Sequence, residues 1–284
     1  MGVLKRTAEK LASEKMSSKS RKRLIVFIAI ITLLSMTTST VAWFTINTFA
    51  GVDSLDVHIS VAAQLKVAMH DYGTDLSRYG KVITNEMIDE FLAGDSTKLS
   101  DIVLDPVTTS NGTRFTNKGG AERQRNNRSF LEFDCWFIAT EEMWVHLTTE
   151  SAENQPDSGT RVSSDSPAPK NDVVNCMRVS YTTDSNGTAT YEHNKGAAVT
   201  ALNTFDLPSG TMVYSDSTRL FHLDEMSPKK VTIRLWVEGE DPECDDDVQD
   251  ADLKVQMSFV GTDNNNVPML LSVCSLIPWK IPSR

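Results

Sequence analysis

Apolar and polar residues alternate along much of the chain. Leu55, Val57, Ile59 and Val61 are interleaved with Asp56, His58 and Ser60, and Leu65, Val67 and Met69 with Lys66 and Ala68. A two-residue period is that of a strand with one face in a core. The same period returns at 130–138 (FLEFDCWFI), 143–148 (MWVHLT), 173–181 (VVNCMRVSY), 231–237 (VTIRLWV) and 253–260 (LKVQMSFV). In the last two, Val231, Ile233, Leu235 and Val237 share one face, as do Leu253, Val255, Met257 and Phe259, so two apolar faces are available to close on each other. Turn-forming clusters separate the runs: DSNGT at 184–188, LPSGT at 207–211, and GTDNNN at 261–266, which joins 253–260 to VPMLLSV as a hairpin. Strands punctuated in this way predict a mainly all-β, antiparallel sandwich rather than a parallel α/β sheet.

One segment breaks the period. TNEMIDEFLA at 84–93 opens on Thr84 and Asn85 as caps, places Met87, Ile88, Phe91 and Leu92 on one helical face, and meets Gly94 as a stop. It is expected as a single short helix inserted among the strands. Residues 110–128 and 151–172 are polar, contain Gly or Pro, and read as long exposed loops.

The N-terminus follows another logic. LIVFIAIITLL at 24–34 is eleven uncharged residues, the length of a signal-peptide apolar region and short of the roughly 20 that span a bilayer. Extension through 44 gives 21 uncharged residues ending at Trp43 and Phe44, which suits a spanning helix with an aromatic outer border. The basic cluster SRKR at 20–23 holds the N-terminus in the cytoplasm in either case. Thr40, Val41 and Ala42 form a tolerable small-residue cleavage pattern, with the cut between Ala42 and Trp43, and this layout favours an export signal over a retained anchor. A type IV pilin leader is excluded, because Arg23 directly precedes the run and no acid lies within it. The chain therefore divides into a basic cytoplasmic segment at 1–23, a signal or transmembrane helix at 24–44, and an extracellular β-sandwich domain at 45–284. The expected location is extracellular or at the cell surface.

Charge supports the division. Residues 1–44 hold eight Lys or Arg and two acids, a net +6; since the chain as a whole is −10, the remaining 240 residues carry −16. A body so acidic repels nucleic acid and anionic lipid, so no nucleic-acid partner is expected and the membrane is a partner at least during export. With 40% hydrophobic residues there is material for a core. The four cysteines, Cys135, Cys176, Cys244 and Cys274, are too far apart for a CxxC motif. They read either as disulfide partners in an oxidising compartment, with three connectivities open, or as buried thiols.

Catalytic signatures are missing from the sequence. The five histidines include no HExxH and no close pair, and no GxSxG, Walker loop or dinucleotide fingerprint occurs. His58 and His146 fall opposite the apolar positions of their strands and are expected to face solvent. The densest acidic run, EGEDPECDDDVQDAD at 238–252, offers Asp241, Glu243, Asp245, Asp247 and Asp250 as calcium ligands, without the EF-hand spacing. A solvated acidic loop is the reading set against that one. No other cofactor is expected, and the chain reads as a non-enzyme.

TSTVAWFTIN at 38–47, following a short apolar run and leading into the first strand, resembles the export region of the TasA/camelysin family of Gram-positive surface and biofilm-matrix proteins. LWVEGEDPEC at 235–244 is similar to a segment of other exported Firmicutes proteins. The resemblance implies a jelly-roll-like sandwich, release by a signal peptidase, and self-association into fibres in which the segment after the cleavage site adds a strand to a neighbouring copy. Carried onto this chain, the donor strand is Trp43 to about Val61, with Leu55, Val57, Ile59 and Val61 filling pockets and Trp43 and Phe44 as anchors. Two other functions fit the residues: a membrane-anchored monomeric receptor or adhesion ectodomain, and a secreted hydrolase with a dispersed site.

Overall fold

In a computed structural model the chain is described at residues 50–59, 65–126, 129–151, 157–196 and 198–269. The 24–44 helix, Ala42, Trp43, Phe44, Val61 and Cys274 lie outside the described residues. The strands, in chain order, are β1 (Ala50–Ile59), β2 (Leu65–Ala68), β3 (Val82–Ile83), β4 (Phe130–Ala139), β5 (Met143–Leu147), β6 (Arg161–Ser163), β7 (Met177–Thr183), β8 (Gly187–Glu192), β9 (Thr204–Phe205), β10 (Arg219–Leu223), β11 (Lys229–Val237) and β12 (Ala251–Thr262). Helix α1 spans Asn85–Leu92 and the single turn α2 spans Val173–Cys176.

The strands form two six-stranded sheets. The first runs β10-β5-β12-β1-β3, with β6 also on β12; the second runs β2-β4-β11-β7-β8-β9. Val231, Ile233, Leu235 and Val237 of β11 and Leu253, Val255, Met257 and Phe259 of β12 are buried in one shared core, as their alternation predicts. Phe137 of β4 reaches across to Phe221 of β10 and Phe259 of β12, each 5.1 Å between ring centres, and Tyr181 of β7 meets Phe259 edge-on at 5.7 Å. These rings lock the two sheets face to face.

The fold is mainly β, but the sheets are mixed rather than antiparallel throughout. β1 runs parallel to β12 in the register Leu55↔Val255, Val57↔Met257 and Ile59↔Phe259, and β9 runs parallel to β8. A tight turn enforces an antiparallel pair; β1 and β12 stand at opposite ends of the described chain with no turn between them, so packing alone sets their direction.

The predicted helix forms as α1, with Ile88 and Leu92 buried and Met87 and Phe91 packed against the core. Its stop differs from expectation. The chain continues past Gly94 into a 3-10 turn, and Ser96, at φ 57°, makes the reversal. The run at 173–181 also divides: a 3-10 turn at Lys170–Asp172 feeds directly into α2, which buries Val173 and Cys176, and the strand begins only at Met177. The 261–266 turn closes a hairpin base, with the Asp263 N–H donating to the Val267 carbonyl and Met269 N–H to that of Gly261.

The described residues of the two expected loops are mostly exposed, as their composition predicts, but each segment is pinned to the sheets at a few buried points. Within 105–126, Phe115 is buried, stacked on Phe130 at 4.2 Å and edge-on to Trp236 at 5.1 Å, forming a small second core on the outer face of the second sheet. Gly112, at φ +69°, lets this flap touch β8, where a Cβ would stand 2.9 Å from Thr188 Cγ2. Asn126 fastens its end by donating to the Glu132 carbonyl (2.9 Å) and accepting the Glu132 N–H (2.8 Å). Residues 161–163 pair with β12 as β6, and Gly159 lies so close to Thr149 that a Cβ would fall on the Thr149 carbonyl. One aromatic and a few side-chain amides, isolated in polar sequence, do the work that a longer apolar run does elsewhere.

Candidate functional site

Three features could carry function: the N-terminal strand, the acidic loop with its buried ion cluster, and a polar groove beside them. β1 pairs with β12 along nearly its whole length. On its other edge it meets β3 at only two positions, Val57↔Ile83 and His58↔Val82, and the Leu55 N–H donates to Asn85 Oδ1 at 3.1 Å. Leu55 is fully buried in the chain's own core. Of Val57 and Ile59 the structure describes the backbone, which continues the same pairing. Residues 50–59, the described part of the segment predicted as donor strand, are thus seated within the chain's own sheet.

The acidic loop does not gather its carboxylates. Asp241 turns inward onto Arg178 Nη2 at 2.5 Å. Glu243 accepts from Asn175 Nδ2 at 3.4 Å. Asp245 caps a 3-10 turn by accepting the Asp247 N–H at 2.9 Å, and Asp250 sits at φ 56° in the turn before β12. Among the described residues no group of three or more His, Cys, Asp or Glu is placed to hold a metal ion.

Arg178 is instead the centre of a buried ion cluster absent from the sequence reading. It faces Glu192 of β8 at 2.9 Å as well as Asp241, and its Nη1 donates to the carbonyls of Asn175 (2.7 Å) and Met177 (3.0 Å). All three charged side chains are at most 9% exposed. Thr204 Oγ1 donates to Glu192 at 2.6 Å, bringing in β9. Beside the cluster, Glu238 accepts from Trp236 Nε1 at 3.2 Å, and burial raises its carboxyl above the usual range against the pull of its hydrogen bonds. The one available signal was registry: Arg178 and Glu192 are directly paired across β7 and β8.

Next to this cluster a groove of about 510 Å³ is lined by Thr108, Thr109, Ser110, Asn111 and Arg114 of the flap, Thr200 and its neighbours, and Glu240. Its surface is polar and apolar in about equal parts: hydroxyls and the Asn111 amide alternate with the apolar Val199 and Ala201, and Arg114 and Glu240 add one charge of each sign.

His146 corrects the solvent-facing expectation. It is fully buried on β5, with Nδ1 3.1 Å from Thr218 Oγ1 and its ring edge-on to Tyr214 at 5.4 Å. Burial, assisted by the Arg219 charge, pushes its pKa down to about 4. The outward face of β5 is roofed by residues 214–219, so alternation assigned the face and not the exposure. Cys135 lies in the core with Sγ 3.8 Å from Met69 Sδ, and burial raises its thiol pKa. Among the described residues no helix is long and apolar enough to cross a membrane.

No protein-family model, curated protein sequence or solved structure matches the chain.

Proposed function

We propose that this chain is a non-enzymatic, exported cell-surface or extracellular-matrix structural protein of Gram-positive type, a jelly-roll-like sandwich released by signal peptidase. Its copies associate by exchanging β1. The carrying observation is the placement of β1: the first strand among the described residues, parallel to β12, joined there by no hairpin and covered on its far edge by two residues of β3. Without β1, the edge of β12 from 251 to 259 presents unpaired N–H and C=O groups, which the β1 of another copy satisfies in the identical register. Because the contacts are the same in both arrangements, chain concentration and the freedom of the N-terminus decide between them.

The buried seat of Leu55 in its own sheet supports a second reading, in which residues 24–44 remain as an anchor and the protein acts as a monomeric receptor or adhesion ectodomain with the groove as its binding surface. One experiment separates the two. Ser54 and Lys254 are register partners across β1 and β12. In an equimolar mixture of Ser54→Cys and Lys254→Cys proteins, covalent dimers joined through these two positions are expected under oxidation. If the mixture stays monomeric while the double variant cross-links internally, strand exchange is wrong and the anchored monomer stands.

A further inference from the structure

The three described cysteines have unequal surroundings, and two of them, Cys176 and Cys244, are neighbours. Cys176 ends α2, and Cys244 lies in the acidic loop after β11. The residues around them are tied together. Glu238 N–H donates to the Cys176 carbonyl at 2.8 Å, Asn175 Nδ2 to Glu243 Oε1 at 3.4 Å, and Arg178 binds Asp241, whose carbonyl accepts the Cys244 N–H at 3.0 Å. Between these anchors the two side chains are neighbours, Cys244 packing against the core that holds Cys176; both are free thiols in this structure, and that of Cys176 donates to the Asp172 carbonyl at 3.9 Å. Cys176 is fully buried, while Cys244 is half-buried. Cys135 lies on β4 in the core against Met69.

We infer that Cys176 and Cys244 form a disulfide that fastens the acidic loop to the start of β7, and that Cys135 remains a thiol. The inference rests on the export reading only for the oxidising compartment; the pairing itself rests on the geometry. An external disulfide, whether of a thiol–disulfide oxidoreductase or of a small molecule, is the oxidant. The more accessible Cys244 attacks it as thiolate, forming a mixed disulfide and expelling one thiol. Cys176 then loses its proton and attacks Cys244 Sγ, expelling the second thiol. Two protein thiols are oxidised and one external disulfide is reduced to two thiols. Local opening at Cys244 is sufficient for entry, since Cys176 reacts only with its neighbour. The bond closes the chain from 176 to 244, a long loop whose restriction in the unfolded state stabilises the fold.

The test uses the full-length protein equilibrated in reduced and oxidised glutathione, blocked with an alkylating agent and digested without reduction. A peptide containing Cys176 joined to one containing Cys244 is expected, with Cys135 alkylated. Wild-type Tm is expected to fall by about 5–10 °C on reduction, and that of Cys244→Ser, altered at the more accessible site, to be indifferent to reductant. Cys244 joined to Cys274 or Cys135, or both Cys176 and Cys244 alkylated under excess oxidant, overturns the inference. Protein taken from cells and alkylated before lysis separates the two readings. If the pair forms in glutathione but is reduced in that material, the pairing stands and the export reading fails.

Discussion

At His146, burial, with the Arg219 charge beside it, decides protonation. The imidazole, fully buried between β10, β12 and Tyr214, has its pKa lowered to about 4, whereas an unfolded histidine titrates near 6.5. Between these values the unfolded chain binds the extra proton, so His146 contributes stability above pH 6.5 that is lost as pH falls towards 4. The full effect is of order 3 kcal/mol. In His146→Gln, which carries no titratable ring, denaturant unfolding should show a correspondingly shallower loss between pH 6.5 and 4 than in wild type; identical slopes would remove His146 as the cause. Period-2 reading put this residue on the outward side of β5 correctly. What it could not supply was the roof, because Tyr214 and Thr218 approach from about 70 residues further along, through a segment with no periodic pattern of its own.

Among elements, the ones legible in advance were those whose apolar face and flanking turns agree: β4, β5, β11, β12 and α1. β6, β9 and the flap at 105–126 were hidden because a few tertiary contacts hold them, Phe115 on Phe130 for the flap and Thr160 Oγ1 on the Ser258 carbonyl beside β6. The Arg178 cluster was hidden for a different reason: its three charges come from β7, β8 and the acidic loop, and only the β-register brings them together. It makes those elements interdependent. Arg178→Met leaves Glu192 and Asp241 buried without a cation, and a loss of about 3–5 kcal/mol in denaturant unfolding is expected. Arg178→Met combined with Glu192→Gln and Asp241→Asn should recover most of it. A single variant as stable as wild type would show that water already reaches these carboxylates.

For the whole molecule, the decisive contact is the most distant in sequence. β1 and β12 are about 200 residues apart, yet they pair side by side near the middle of the first sheet. A chain beginning at residue 60 should therefore remain folded but with a lower Tm, and a synthetic peptide of residues 50–59 added in trans should restore it in a concentration-dependent manner. Failure of saturating peptide to raise the Tm would mean that β1 is not a separable part. The two-sheet core and its facing β11 and β12 surfaces were readable from alternation. The parallel direction of β1 was not, because strand periodicity is the same in both directions.

That direction has a mechanical consequence. Tension applied at residue 50 and at residue 262 pulls two parallel neighbours from opposite ends, so the ladder between them is loaded in shear and its bonds must yield together rather than one at a time. A chain tethered at one terminus and tugged at the other would meet its greatest resistance at this seam, whether the β1 in place is its own or a neighbour's.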